Sequence, residues 1–214
     1  MRQVTESVPL RGRQRAVTRS RLMESARQVF AARGFTDATV DDIAREAGAC
    51  RATFYLHFRS KTELAAALVD EGTPFGVARY RTLDALLCER APQLRERLRE
   101  WLAEWVEIWI EGAEASHALL QAAMLEPEIE EHRLRQSAAL IDALKCYLGQ
   151  MPEPDRVPAR ERLLILEIMT QRILSLASMR QLPIGNEEML TILVDMWYHT
   201  LVEQAAPRAS RHSG

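Results

Sequence analysis

Between Gly48 and Phe58 the chain reads GACRATFYLHF, one arginine followed by four aromatic or imidazole side chains, in a sequence whose aromatic content is only 6%. Arg51, Tyr55 and His57, with Arg59 and Lys61 just beyond, are residue types that meet nucleic acid. Arginine can offer two donors to guanine O6 and N7, and basic or hydroxyl side chains reach phosphates. Other clusters point to other chemistry. Glu128, Glu131 and His132 stand at i, i+3 and i+4, one helix face that could ligate a metal. Acidic residues directly after Pro127 are also what a helix N-terminus favours, and that reading is preferred, with no metal expected. His117 is read as a packing or pocket-rim residue rather than a catalytic base. Cys50, Cys88 and Cys146 form no C-x-x-C pair and are expected to be free thiols. No G-x-S-x-G, G-x-G-x-x-G or phosphate loop is present, so no catalytic residue, no cofactor and no enzymatic activity are expected.

The elements that must carry these residues follow from composition and periodicity. At 214 residues, 47% hydrophobic and 27% charged, the chain is globular. No apolar run approaches the roughly 18 residues of a membrane span and the start lacks a signal-peptide core, so a cytoplasmic protein is expected, with no membrane partner. The net charge of −2 hides an asymmetry: residues 1–64 carry +5 and the remainder −7. A basic N-terminal unit on an acidic, apolar remainder suggests that the first part meets a polyanion.

The spacing predicts helix throughout. Leu22, Ala26, Val29 and Phe30 share one face of a first helix, with Thr18 as N-cap and Gly34 as its stop. Thr39 and Asp42 give a T-x-x-D cap for a second helix that Gly48 ends; a third runs from about Arg51 to Phe58; Ser60 and Glu63 form an S-x-x-E box opening a fourth. Phe54 and Phe58, four apart, are expected to close a small core against Leu22, Phe30, Phe35 and Ile43, leaving Arg51, Ala52 and Tyr55 outside. Arg51 at a first turn opposes the helix dipole, a penalty that phosphates nearby would reverse. For Asp41, capping is preferred and acceptance from a cytosine amino group is the alternative. Later helices are expected at about 61–72, 74–90, 93–112, 115–125, 127–149, 159–181 and 187–205. Residues 1–17 are read as a flexible basic arm; Arg11, Arg13 and Arg15 either enter a minor groove or form a solvated extension. Residues 207–214 are read as a frayed tail.

The stretch RLMESARQVFAARGFTDATVDDIAREAGACRATFYLHFRSKTEL, Arg21 to Leu64, closely resembles the N-terminal domain of the TetR family of bacterial transcriptional regulators. The resemblance rests on Ala26, Phe30, Gly34 and Phe35, on Thr39 to Gly48, and on Thr53 to Leu64. It implies an all-α protein: a three-helix helix-turn-helix domain over residues 18–64, followed by a helical ligand-binding and dimerisation domain over 65–206. It also implies that Arg51, Ala52 and Tyr55 face bases while Thr39, Thr53, His57 and Lys61 face the DNA backbone. Cys50 departs from the family's usual serine at the N-cap. Because cysteine is a weak acceptor, either the helix start is looser or the thiol touches DNA.

Two long helices near the C-terminus are apolar over more than one face, so a two-fold dimer is expected, with Leu166, Ile173, Ile192 and Trp197 in its interface. A dimer would set two recognition helices about one DNA turn, roughly 34 Å, or a near multiple apart on a pseudo-palindrome. Trp105 and Trp109 lie on a stripe that packs the core or lines a small-molecule cavity; the resemblance implies such a cavity, and Phe75, Tyr80, Trp105, Trp109, His117, Gln121, Met124, Met169 and Arg172 are the residues expected to close it. The function expected is that of a ligand-responsive, sequence-specific homodimeric repressor, released from its operator by a small apolar or aromatic effector. The alternative is a helical small-molecule-binding protein or enzyme whose N-terminal unit no longer reads DNA.

Overall fold

The computed structural model describes residues 10–89 and 93–205. Among these residues ten helices occur: α1 (Leu10–Asp37), α2 (Val40–Glu46), α3 (Arg51–Tyr55), α4 (Lys61–Cys88), α5 (Leu94–Glu111), α6 (Ala113–Leu125), α7 (Pro127–Ile141), α8 (Lys145–Gly149), α9 (Glu153–Ser178) and α10 (Asn186–Ala205). Among the described residues there is no strand, which agrees with the all-α expectation. No helix among them is long and apolar enough to cross a membrane.

Two apolar clusters organise these helices. The first joins Leu22, Phe30, Phe35, Ile43, Phe54, Phe58 and Leu64, and it draws in Ala118, Ala122 and Ala123 from α6 and Ile129 from α7. The N-terminal unit is therefore not closed by its own helices alone: α6 lies along α1, its alanines allowing a near approach. The second cluster gathers Tyr80, Leu83, Leu98, Trp101, Leu102, Leu163, Leu193 and Trp197. Helix α4 belongs to both, through Leu64, Ala65, Leu68 and Val69 at one end and Tyr80, Leu83 and Leu87 at the other.

Several element boundaries move from the sequence expectation. Helix α1 begins by Leu10, so residues 10–17 are helical rather than a loose arm. Thr18, expected as the cap, hydrogen-bonds back to Gln14 O at 3.0 Å inside the helix. Arg15 explains the extension, since its guanidinium reaches Leu56 O beyond α3. Residues 1–9 of the expected arm and the tail 207–214 lie outside the described residues. Helix α4 runs through Pro74 unbroken. Gln136 of α7 donates to Val69 O at 2.9 Å and lies within 3.3 Å of Thr73 Oγ1, binding the turn beside the proline to its neighbour. Gly76 allows the same pair of helices to close, for a Cβ there would sit 2.6 Å from Leu140 Cδ2. The expected helix 127–149 is two helices, because Asp84 of α4 accepts from the N–H groups of Cys146 and Tyr147 at 3.0 and 2.9 Å and so caps a new start. The expected free thiols Cys88 and Cys146 are joined in a disulfide, their Cα atoms 6.3 Å apart, which ties the end of α4 to α8; Cys50 remains free. Fifty-eight residues separate the pair, so spacing alone carried no signal.

Candidate functional site

The glycine-turned pair α2 and α3 positions the candidate reading head. Thr39 caps α2 in extended backbone, accepting from Asp42 N at 3.1 Å while the Asp42 carboxylate accepts from Thr39 N and Oγ1. The hydrogen bond from Thr39 holds the Asp42 carboxyl below its ordinary range, helped by Arg33 and Arg45. Gly48 makes the turn at φ +59°, a left-handed conformation that glycine adopts without a Cβ penalty. Cys50 then takes the N-cap conformation of α3 without a side-chain cap bond, its Sγ 3.2 Å from Thr53 Oγ1. Phe54 and Phe58 are buried as the spacing predicts, which turns Arg51, Ala52 and Tyr55 to the exposed side.

Arg51 is held there by two neighbours. Its Nη1 donates to Asp41 Oδ2 at 2.8 Å and its Nη2 to the Tyr55 hydroxyl at 3.3 Å. These partners favour the charged guanidinium, the Tyr55 hydroxyl most and Asp41 next. Asp41 thus does not serve as the cap of α2, which Thr39 and Asp42 provide; its carboxylate orients an arginine from the next helix. Sequence reasoning missed this pairing because ten positions separate the two residues.

Of the residues the family resemblance sets toward phosphates, Thr39 is exposed and Thr53 and His57 are half-buried. Desolvation pushes the His57 pKa down, and Arg15 and Arg19 add to that. Arg19 donates to His57 O at 3.0 Å with its guanidinium 4.1 Å above the Phe58 ring, so α1 brings two arginines to the end of α3. Lys61 differs from expectation. Its ammonium donates to Phe35 O, Thr36 O and Ala38 O at 2.5, 3.2 and 2.7 Å, spending all three donors on carbonyls at the end of α1. The reason is local: chain leaving a helix strands carbonyls, and a cation nearby satisfies them. Desolvation accordingly lowers the Lys61 pKa. Lys61→Ala should lower the melting temperature by a few degrees, on the order of 1 kcal/mol after allowance for partial exposure, and leave the salt dependence of DNA binding unchanged. A flattened salt slope with unchanged melting would return Lys61 to the phosphates.

The expected effector residues separate. Tyr80 and Trp105 are buried in the core, with Trp109 packed half-buried against it. Phe75 is exposed and stacks on Trp105 with centroids 6.5 Å apart, and Met169 is exposed on α9. His117 is half-buried with an unbonded Nδ1, and Gln121 faces Gly34. Met124 and Arg172 do come together. They line a cavity of about 290 Å³ between α6, α7 and α9, with Leu120, Arg133, Leu134 and Ile168 among its other walls. Arg133 carried no sequence signal, being one charge among many in an acidic helix. His132 pairs instead with Asp70 across helices at 2.8 Å, and no group of three metal-ligating side chains occurs among the described residues.

The dimer expectation needs correction at two of its four residues. Trp197 is 0% exposed within the single chain and Leu166 is buried, so neither is available to a partner; Ile173 is half-buried, and Ile192 is exposed. Both long helices are apolar on several faces, and the interior took Trp197 because its Nε1 finds Thr170 Oγ1 at 3.0 Å beside Tyr80 and Trp101. Among the described residues, the large apolar side chains that α9 and α10 leave uncovered are Val157, Ile165, Ile168, Met169, Ile192 and Val202.

Residues 22–68 match the family described as bacterial regulatory proteins, tetR family. A stretch of 52 residues is 46% identical to the HTH-type transcriptional regulator SrpR of Pseudomonas putida, covering 24% of each chain. A stretch of 53 residues is 43% identical to the HTH-type transcriptional regulator TtgR of the same species, covering 25% of each. The chain thus spans about a quarter of the length of these curated relatives. In fold the likeness extends further. The Salmonella enterica GusR structure superposes with a TM-score of 0.63 at 21% identity, over 94% of this chain and 100% of that one. A tetR-family transcriptional regulator from Streptomyces coelicolor gives 0.66 at 18%, over 89% and 82%. Residues 22–68, with their glycine-turned helix pair and capping box, thus match the tetR family of bacterial regulatory proteins in sequence, and over most of its length the chain shares the fold of these solved structures.

Proposed function

We propose that the chain is a homodimeric, sequence-specific DNA-binding transcriptional regulator, a repressor that leaves a pseudo-palindromic operator when a small molecule occupies its helical region. In this reading residues 18–64 read DNA in the cytoplasm, while 65–206 bind the effector and assemble the dimer. The observation that carries it is the exposed Arg51, fixed by Asp41 and Tyr55 on the outer side of the glycine-turned pair. A guanidinium held in one plane is prepared for the two acceptors of a guanine, and Ala52 beside it suits a thymine methyl. Thr39, Thr53 and His57, with Arg15 and Arg19, are the groups disposed to take phosphates around it. Ile165, Ile192 and Val202, left uncovered on α9 and α10, supply the surface for a second copy.

Selection of bound fragments from the source genome with the purified protein tests the reading, by returning one enriched two-fold site. On that site Arg51→Ala should lose about tenfold to a hundredfold in affinity and relax preference at one position per half-site, with far less effect on random DNA. Asp41→Ala should raise affinity for random DNA, since a carboxylate leaves the interface, and yet weaken the same base preference. Equal losses for Arg51→Ala on operator and random DNA would remove Arg51 from base reading.

A further inference from the structure

The cavity between α6, α7 and α9 combines an apolar wall, made by Leu120, Met124, Leu134 and Ile168, with two guanidinium groups, Arg133 and Arg172. Arg133 is half-buried, and its described hydrogen bond is a single one, from Nη2 to Gln171 Oε1 at 2.7 Å. No carboxylate stands within 4 Å of it among the described residues: Glu130 lies at the cavity rim and Glu167 behind Gln171, both acting on it only through space. Desolvation lowers the Arg133 pKa by more than Glu130 and Glu167 raise it, in keeping with a half-buried cation that no carboxylate touches. A guanidinium has five donors and a half-buried cation without a paired anion is costly, so this arrangement favours an incoming anion. Arg172, exposed at the mouth, adds a second positive charge without a described ion pair.

Behind Arg133 a chain of hydrogen bonds leads to the helix that enters the DNA-reading unit. Gln171 Nε2 donates to Glu167 Oε1 at 2.6 Å and to Ser137 Oγ at 3.2 Å, and the Tyr80 hydroxyl of α4 donates to Glu167 Oε2. Tyr80 and Glu167 are both 0% exposed. Helix α7, which holds Arg133, also grips α4 through His132 to Asp70 and Gln136 to Val69. A charge arriving at Arg133 therefore acts on both faces through which α4 is held.

We propose that this cavity binds an amphipathic monocarboxylate, its carboxylate on Arg133 and Arg172 and its apolar body against Leu120, Met124, Leu134 and Ile168, and that occupancy is transmitted to α4 through Gln171, Glu167 and Tyr80. The binding site stands on its own; the transmission rests on the DNA-binding reading above. The test titrates the purified full chain, first without DNA, by calorimetry with octanoate and 4-phenylbutanoate and with their neutral partners 1-octanol and 4-phenylbutan-1-ol. The carboxylates should bind about tenfold or more tightly than the alcohols, as charge-assisted hydrogen bonds imply, and the aliphatic and aromatic arms distinguish the body the cavity prefers. Arg133→Gln should abolish the preference and Arg172→Gln reduce it, with helicity by circular dichroism unchanged. Tyr80→Phe should keep carboxylate affinity while raising the concentration needed to release operator DNA. Equal binding of acids and alcohols, no binding by any of the four at millimolar concentration, or an Arg133→Gln variant that is folded and binds carboxylate as before overturns the site. Carboxylate binding that depends on Arg133 but does not change operator affinity leaves the site standing and overturns the transmission.

Discussion

Replacing Ile165 and Ile192 together with aspartate should give a folded monomer that no longer holds operator DNA at concentrations that saturate the parent. Both side chains are exposed within the chain, Ile165 at 59% and Ile192 at 45%, so charges there cost the monomer little. In a two-fold assembly the same surface meets its copy, and each substitution buries a carboxylate twice, at several kcal/mol per ion. Such a sum exceeds what an ordinary interface retains after its association costs. Sedimentation velocity should show the parent as a dimer and the variant as a monomer with unchanged helicity. Operator binding falls because two half-sites must then be held independently. A double variant that stays dimeric and binds normally would place the interface elsewhere.

Trp197→Ala should have the opposite signature, a large loss of stability whatever the assembly state. The ring is wholly enclosed, 6.2 Å from Tyr80 and 6.0 Å from Trp101, and its indole N–H donates to Thr170 Oγ1. Truncating a buried tryptophan costs about 3 to 5 kcal/mol, a large part of the 5 to 15 typical of a domain. The melting temperature should fall by about 10 °C or more, with Trp197→Phe intermediate because it keeps most of the volume and loses the hydrogen bond. Thermal melts at two protein concentrations separate this from dissociation, since the core effect persists when dimer formation is saturated. Unchanged melting with loss of the dimer would instead return Trp197 to the interface.

The contrast between these two experiments marks how far the sequence could be read. The α9 and α10 stretches are apolar on more than one face, which announces that several sides are covered. It does not say whether the cover is the same chain or another copy. Trp197 and Leu166 look as suited to an interface as Ile165 and Ile192, and the arrangement of Tyr80, Trp101 and Thr170 around the indole separates them.

The features legible in the sequence alone had their cause within a few residues. Gly34 and Gly48 stand at positive φ, where side-chain-bearing residues are strained. Thr39 with Asp42, and Ser60 with Glu63, cap helices across three positions, and Phe54 with Phe58 share the face that buries them. Those signals gave the helix-turn-helix and put Arg51 outside. Tertiary structure alone decided the rest: Asp41 against Arg51, Lys61 on the carbonyls ending α1, Asp84 starting α8, Cys88 beside Cys146, and Arg133 next to Gln171. Each of these joins a side chain to a group on another element of the fold, and a charged or polar residue carries no mark of which distant partner will satisfy it. Hydrogen-bond and charge complementarity are realised only once packing has brought the two helices within about 3 Å of a shared contact.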